Sequence, residues 1–150
     1  MNQIDYMFSV LLKVFITVFL CGALGFEREL RNKVAGMRTH ILVGLGSTLI
    51  VLTSMHVSDI YKSTIPADPT RMIAGIVTGI GFLCAGTIIR GGAHVSGLTT
   101  AATLWIVSGI GTAVGAGDYI DAIIVTLVVY IVLVWVRALE QKIQQITNHK

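Results

Sequence analysis

Residues Ile123 to Val136 read IIVTLVVYIVLVWV and carry no charged side chain over their whole length. A strand of a membrane β-barrel alternates polar and apolar residues over about ten positions, because its two faces meet the lumen and the lipid. This run does not alternate, so it predicts a helix in apolar surroundings. The fold class expected from it is all-α.

The composition of the whole chain indicates a membrane protein. Of its 150 residues, 54% are hydrophobic and 13% are charged, and the mean hydropathy is +0.80. Soluble domains carry about 25% charged residues, so too little polar surface remains here to cover a water-soluble core. We therefore expect an integral membrane protein whose main partner is the lipid bilayer.

Five apolar runs are long enough to predict five transmembrane helices. A spanning helix needs roughly 20 residues, because the hydrocarbon layer is about 30 Å thick and a helix rises about 1.5 Å per residue. The predicted spans are approximately Tyr6 to Leu24, Thr39 to Val57, Met72 to Ile89, Val95 to Val114 and Ile120 to Val136. We expect one polytopic transmembrane domain over residues 1–136, followed by a short cytoplasmic tail over residues 137–150.

The basic residues divide unevenly between alternate connections, which predicts the orientation of the spans. Lys and Arg resist translocation and gather on the cytoplasmic side. One side holds Arg28, Arg31, Lys33, Arg38, Arg90, Arg137, Lys142 and Lys150, and the other holds Lys62 and Arg71. The N-terminus is therefore expected outside and the C-terminus inside.

Several function classes lack support in the sequence. It contains no G-x-x-x-x-G-K-[ST], H-E-x-x-H or Cys-x-x-Cys motif. No base, nucleophile and orienting group lie at a recognisable spacing, so an enzyme is not expected. Nucleic-acid binding is not expected either, because the basic balance follows from the membrane topology.

Charged residues gather where the first predicted span ends, at Glu27, Arg28 and Glu29. If the helix continues, Glu27 faces Arg31 and Glu29 faces Lys33 one turn later, in the favourable acid-first order. One interpretation is a solvated helical extension. The other is a polar cytoplasmic vestibule that is close enough to Arg38 to form a buried ionic network.

The next stretch predicts a helix-loop-helix entry into the second span. Gly36 is suited to end one helix and Thr39 to cap the next. His40, at this entry, is either a hydrogen-bonded interfacial residue or a group that titrates near neutral pH, and the first is the commoner case.

Asp68 lies where the third predicted span begins, followed by Pro69 and then Arg71. Asp at the N-cap and Pro at the first helical position are typical of a helix start, and this capping role is sufficient to explain Asp68. A carboxylate there is also suited to a hydrated Mg²⁺ ion, which often uses only one or two carboxylates. Asp68 is therefore the candidate metal ligand.

The third and fourth predicted spans are rich in small residues. Gly75 and Gly79 form a small-x-x-x-small face, and the other predicted packing positions are Gly81, Gly86, Gly97 and Trp105. Such faces allow close helix contacts within a monomer or between copies, and a thin-walled ion path is the alternative. The hydroxyls of Thr99 and Thr100 are expected to bond to their own helix or to a neighbouring one.

Taken in order, these residues resemble the MgtC/SapB family of bacterial inner-membrane proteins. The resemblance is carried by Glu27-Arg28-Glu29; by Gly36-x-Arg38-Thr39-His40 with Leu42-Val43-Gly44-x-Gly46-Ser47; by Asp68-x-x-Arg71; by Gly79-Ile80-Gly81-Phe82-Leu83-x-Ala85-Gly86; and by Gly97-Leu98-Thr99-Thr100-Ala101-Ala102-x-Leu104-Trp105. The blocks cover residues from about 22 to 117. Two departures are Cys84, where the family usually has Gly, and the short tail after Arg137, where many relatives carry an ACT-like regulatory domain.

The resemblance implies a link to magnesium limitation, acid stress and survival of bacteria inside host cells. The best-known members look less like Mg²⁺ transporters than like small regulators that inhibit the membrane part of the ATP synthase. The first hypothesis is therefore a regulator that docks on partner helices or on a second copy as a homodimer. No cofactor is assigned to it, and Mg²⁺ is the candidate ligand. Its functional polar network would be Glu27, Arg28, Glu29, Arg38, Thr39, His40, Asp68, Arg71, Thr99 and Thr100, with Glu27 and Arg38 as an ion pair.

The second hypothesis is a channel or carrier for Mg²⁺ or another small ion. Asp59 and Asp68 would attract the cation at an acidic outer mouth, and the glycines would let it pass backbone carbonyls. Against this hypothesis, no carboxylate lies deep in a predicted span, where cation carriers and proton relays usually require one.

Overall fold

The computed structural model describes residues 2–61, 68, 70–91, 94–136 and 139, and most of them are helical. The helices are α1 (Gln3–Leu30), α2 (Met37–Tyr61), α3 (Thr70–Gly86), α4 (Leu98–Ala116) and α5 (Tyr119–Ile131), and a π-helical turn (Val132–Val136) continues α5. Two short strands, β1 (Ile89–Gly91) and β2 (His94–Ser96), form an antiparallel hairpin between α3 and α4. Except for Leu139, the predicted tail over residues 137–150 lies outside the described residues.

Among the described residues, four helical segments are long and apolar enough to cross a membrane: α1, α2, α4, and α5 together with its π-helical turn. The fifth, α3, has 17 residues and is about 25 Å long, which is at the short limit for a span. The prediction of a helical, membrane-type chain is confirmed. The number of helices that span and their orientation remain predictions.

The predicted boundary between the third and fourth spans is wrong. The third span was expected to reach Ile89 and the fourth to begin at Val95, but these two residues lie in the hairpin, where Arg90 is opposite Val95. Hydropathy does not distinguish the two structures, because β-branched residues suit both. Gly97, with φ of 88°, separates β2 from α4, so the chain is helical with one small hairpin rather than all-α.

The end of α1 is a Schellman motif built on Asn32. Asn32 adopts the left-handed conformation (φ 51°), its N–H donates to the Glu29 carbonyl at 3.0 Å, and the Lys33 N–H donates to the Arg28 carbonyl at 3.0 Å. The expectation that Gly36 ends this helix is therefore wrong. Gly36 instead directly precedes α2, and its carbonyl accepts the His40 N–H.

The core lies between α1, α4 and α5, and α2 packs against both α1 and α4. Its buried apolar side chains include Leu20, Cys21, Leu24, Val107, Ile110 and Val114. A Cβ on Gly111 of α4 would overlap the backbone of Gly44 of α2, so these two helices touch backbone to backbone. Small residues permit this close approach in membrane proteins, where packing replaces the hydrophobic effect.

Hydroxyl groups join the same three helices through hydrogen bonds. The Thr48 hydroxyl of α2 donates to the Gly111 carbonyl of α4 at 2.8 Å, and it lies 2.8 Å from the Thr17 hydroxyl of α1. The Ser47 hydroxyl lies 3.2 Å from that of Ser108. Each bond satisfies a buried polar group in an apolar setting, so α1, α2 and α4 form a specific scaffold for the charged residues at their ends.

Candidate functional site

The end of the bundle where α1 stops and α2 and α4 begin carries most of the predicted polar residues, and we call it the charged end. Arg28 of α1 and Thr100 of α4 are brought together there, with 4% and 2% of their surfaces exposed. The Nη2 atom of Arg28 donates to the Thr100 hydroxyl at 2.8 Å. A charged donor on a buried hydroxyl makes a strong contact, so it fixes α1 against α4.

Glu27 is also buried at the charged end, with 5% of its surface exposed. Its Oε1 atom lies 3.5 Å from Nε of Arg31, which confirms the predicted pair one helical turn apart. Neither carboxylate oxygen accepts a hydrogen bond from the residues that the structure describes. The predicted ion pair with Arg38 is not formed, because Arg38 is exposed and the carboxylate pairs with Arg31 instead.

Glu29 caps the second helix rather than pairing with Lys33. Its Oε2 atom accepts the Met37 N–H at 2.8 Å, at the first residue of α2. A Cβ on Gly36 would lie 2.9 Å from the same oxygen, so glycine leaves room for this cap. The expectation that Thr39 caps α2 is wrong, because Thr39 lies exposed within its first turn.

His40 is an interfacial residue with no exposed surface. Its Nδ1 atom lies 2.8 Å from the Gly36 carbonyl, which accepts the ring proton, and Nε2 has no hydrogen-bond partner among the described residues. A Cβ on Gly25 of α1 would lie 2.8 Å from Cβ of His40. This histidine therefore packs between α1 and α2, as the commoner of the two interpretations expects.

Asp68 begins α3 as a helix cap. Its Oδ1 atom accepts the Thr70 N–H at 2.9 Å and the Thr70 hydroxyl at 2.6 Å, and its carbonyl accepts the Arg71 N–H at 3.3 Å. These hydrogen bonds from Thr70 hold the pKa of the exposed Asp68 carboxyl below its usual value, because they favour the charged form. Pro69, the predicted first helical residue, lies outside the described residues.

The predicted polar residues do not form one network. Asp68 and Arg71 lie at the start of α3, which the chain reaches only after the 25 residues of α2 have led away from the charged end. At the charged end, Arg38, Thr39 and Thr99 are exposed, whereas Arg28 and Thr100 are joined. Within the described part of the chain, no three His, Cys, Asp or Glu residues are grouped so that they could hold a metal ion.

The glycines of α3 leave a groove open beside α2. A Cβ on any of Gly75, Gly79, Gly81 or Gly86 would meet no atom within 4 Å among the described residues, so these positions do not pack inside the monomer. Gly75 and Gly79 line a groove of about 710 Å³ between α2 and α3, which we call the α2–α3 groove. Packing of these glycines on a partner or on a second copy remains a prediction.

The other two predicted packing positions have different surroundings. Gly97 has a left-handed backbone, and a Cβ there would overlap the Thr87 carbonyl, so this turn requires glycine. Trp105 on α4 is 52% exposed, so it contributes less to the packed core than expected. The tryptophan ring thus belongs largely to the outer surface of the bundle.

Comparison with known proteins places the chain in a family. A family model described as the MgtC family matches residues 14–142. The chain belongs to the MgtC family. The chain is 39% identical over 146 residues to Protein MgtC of Salmonella typhimurium strain LT2, an alignment that covers 97% of this chain and 60% of that protein.

Two further relatives also align with most of this chain. The chain is 40% identical over 111 residues to "Putative magnesium transporter YhiD" of Escherichia coli strain K12, covering 73% of this chain and 52% of that protein. It is 37% identical over 139 residues to the protein slr0014 of Synechocystis sp., an alignment that covers 93% of this chain and 57% of that protein. The chain thus spans about half to three fifths of these curated relatives, and no solved structure matches it.

The packing residues of this MgtC-family chain that sequence reasoning missed lie on α2 and α4. Gly44 and Gly111 meet backbone to backbone, and a Cβ on Gly115 would lie 2.9 Å from Cβ of Val51. Gly111 and Gly115 have the same small-x-x-x-small spacing as the α3 pair, so a signal was present in the sequence. The spacing alone does not tell which pair faces a neighbouring helix of the same chain.

Proposed function

We propose that this chain acts in magnesium homeostasis as a regulatory protein of the bacterial inner membrane. The support is its membership of the MgtC family and its similarity to a relative named for magnesium transport. It would act through helix-helix contact with membrane partners, among which the resemblance points to membrane subunits of the ATP synthase. The links to acid stress and survival inside host cells belong to the same proposal.

The observation that carries the proposal is the exposed glycine face of α3. Ile76 and Ile80 are the buried residues of α3, while Gly75 and Gly79 border the α2–α3 groove. A Cβ on either glycine would meet no atom within 4 Å among the described residues. A second transmembrane helix is able to approach such a face closely, because no side chain holds it away. The proposed occupant is a helix of the ATP synthase membrane sector, and a second copy in a homodimer is the competing occupant.

The experiment is to reconstitute the chain with ATP synthase in vesicles and to follow ATP-driven acidification with a pH-sensitive dye. Gly79→Leu fills the α2–α3 groove from a position with free space. Gly109→Leu is the matched control, because Gly109 is equally open but lies on α4 outside the groove. We expect the unmodified chain and Gly109→Leu to slow acidification and Gly79→Leu to lose this effect. Equal effects of the two variants would exclude docking through the groove.

Transport of Mg²⁺ is the second candidate function. It is favoured by Asp68, an exposed carboxylate at the start of α3. The test is Mg²⁺ flux into sealed proteoliposomes that contain an indicator, with Asp68→Asn measured in parallel, because Asn also caps a helix well. Flux that saturates with Mg²⁺ and falls in Asp68→Asn would establish transport and overturn the regulatory proposal.

A further inference from the structure

A cavity of about 520 Å³ opens at the charged end, between the end of α1, the start of α4 and the π-helical turn. Its polar lining comes from Arg28, Lys33, Thr99 and Thr100. Its apolar lining comes mainly from the start of α4 and from the turn Val132–Val136. A π-helical turn is uncommon and is often found beside functional sites, which draws attention to this cavity.

Two cations converge on the cavity because of the way that α1 ends. The Schellman motif turns the chain back, so that the Lys33 N–H bonds to the Arg28 carbonyl and both side chains line the same space. The guanidinium of Arg28 is held there by its bond to Thr100. Among the residues described as lining the cavity, two carry a positive charge and none carries a negative one.

Hydrogen-bond donors from α4 surround the same space. The Thr100 hydroxyl accepts from Arg28, so its own proton remains available to an acceptor, and Thr99 also lines the cavity. The cap residue Gly97 provides no side-chain hydrogen bond to the first turn of α4. The first N–H groups of that turn, which have no partner within the helix, add partial positive charge to the two full charges.

We propose that this cavity binds a phosphate group, held by Arg28 and Lys33 and by the hydroxyls of Thr99 and Thr100. Arginine forks and threonine hydroxyls match the geometry of phosphate oxygens. The apolar half of the cavity suits a phosphate that is carried on a lipid, and basic pockets at the ends of membrane helices are suited to anionic headgroups. The other source of the same chemistry is free phosphate.

Two measurements on the purified, detergent-solubilised chain distinguish these sources. Native mass spectrometry compares binding of phosphatidylglycerol with that of phosphatidylcholine, and thermal unfolding compares inorganic phosphate with chloride at equal ionic strength. Because Arg28 is buried, its loss is expected to harm folding, so Lys33→Gln and Thr99→Val carry the test. Arg90→Gln is the matched control, since Arg90 lies in the nearby hairpin but outside the cavity lining.

The expected result is that Lys33→Gln weakens binding about tenfold and Thr99→Val about threefold, while Arg90→Gln leaves it unchanged. This pattern with phosphatidylglycerol would identify a lipid site, and the same pattern with inorganic phosphate would identify a site for the free ion. Absence of binding in both measurements, or an equal loss in Arg90→Gln, would overturn the proposal. Neither result depends on whether the chain acts on magnesium.

Discussion

The Nη2 atom of Arg28 donates to the hydroxyl of Thr100 across 2.8 Å, although the two residues are 72 positions apart in the chain. Both side chains are buried, and this contact joins the last turn of α1 to the first turn of α4. A buried guanidinium that loses such a partner retains the cost of its desolvation. The pair is therefore expected to contribute to stability as well as to the shape of the charged end.

Thr100→Val is expected to lower the free energy of unfolding by about 1–3 kcal/mol, because it keeps the side-chain volume but removes the acceptor of the Arg28 bond. The measurement is chemical unfolding of the purified chain in detergent. Thr99→Val is the matched control: its side chain is exposed, so a change within about 0.5 kcal/mol is expected. Equal stability of the two variants would show that the Arg28 contact contributes nothing.

The partner of Glu27 is tested by exchanging charges. Glu27→Arg places a third cation beside Arg28 and Arg31, so it is expected to destabilise the charged end. Adding Arg31→Glu recreates an ion pair at the observed positions and is expected to restore part of the loss, of the order of 1 kcal/mol, since Arg31 is partly exposed.

The control for this exchange is Glu27→Arg combined with Arg38→Glu, which changes the net charge by the same amount. Arg38 is exposed and does not pair with Glu27, so this combination is expected to remain as unstable as Glu27→Arg alone. Thermal unfolding of the unmodified chain and of these three variants measures how much stability each second substitution restores. Rescue through Arg38 instead of Arg31 would contradict the observed pairing.

The contact between α2 and α4 predicts opposite results for two glycines of one helix. In Gly111→Ala the new methyl group would overlap the Gly44 backbone, which has no side chain to move aside. The free energy of unfolding is therefore expected to fall by about 1–3 kcal/mol or more. In Gly109→Ala the methyl group meets no atom within 4 Å, and stability is expected to be unchanged or slightly raised. Unfolding midpoints measure both, and a similar loss in both would argue against backbone contact at Gly111.

These residues also show what the sequence is able to predict. The helical, apolar character of most of the chain and the pair of Glu27 with Arg31 depend on neighbours along the chain, and both were predicted correctly. The two glycine pairs, Gly75 with Gly79 and Gly111 with Gly115, have the same spacing, yet Gly111 and Gly115 pack closely inside the chain and Gly75 and Gly79 do not. That difference depends on the rotation of each helix about its axis, which distant contacts determine.

The end of α1 and the cap of α2 were predicted wrongly from the residues next to them in the sequence. Gly36 and Thr39 are typical of helix ends, but Asn32 ends α1 and the Glu29 carboxylate caps α2 from the preceding helix. A cap supplied across a turn depends on how the two helices cross, so the identity of neighbouring residues does not predict it. The Arg28 contact with Thr100 depends on tertiary structure in the same way, although both residues were selected from the sequence.

The cap at Asp68 predicts how the start of α3 responds to pH. Hydrogen bonds from the Thr70 hydroxyl and N–H lower the pKa of this carboxyl, so its stabilising contribution is present above the unfolded value of about 3.9 and is lost as the pH falls through the lower folded value. Carboxyl chemical shifts followed by NMR during an acid titration measure that pKa directly. Asp68→Asn should retain the helix start and remove its pH dependence, whereas Asp68→Ala should weaken it at every pH. A carboxyl that titrates at or above about 3.9 would show that these bonds do not hold Asp68 in solution.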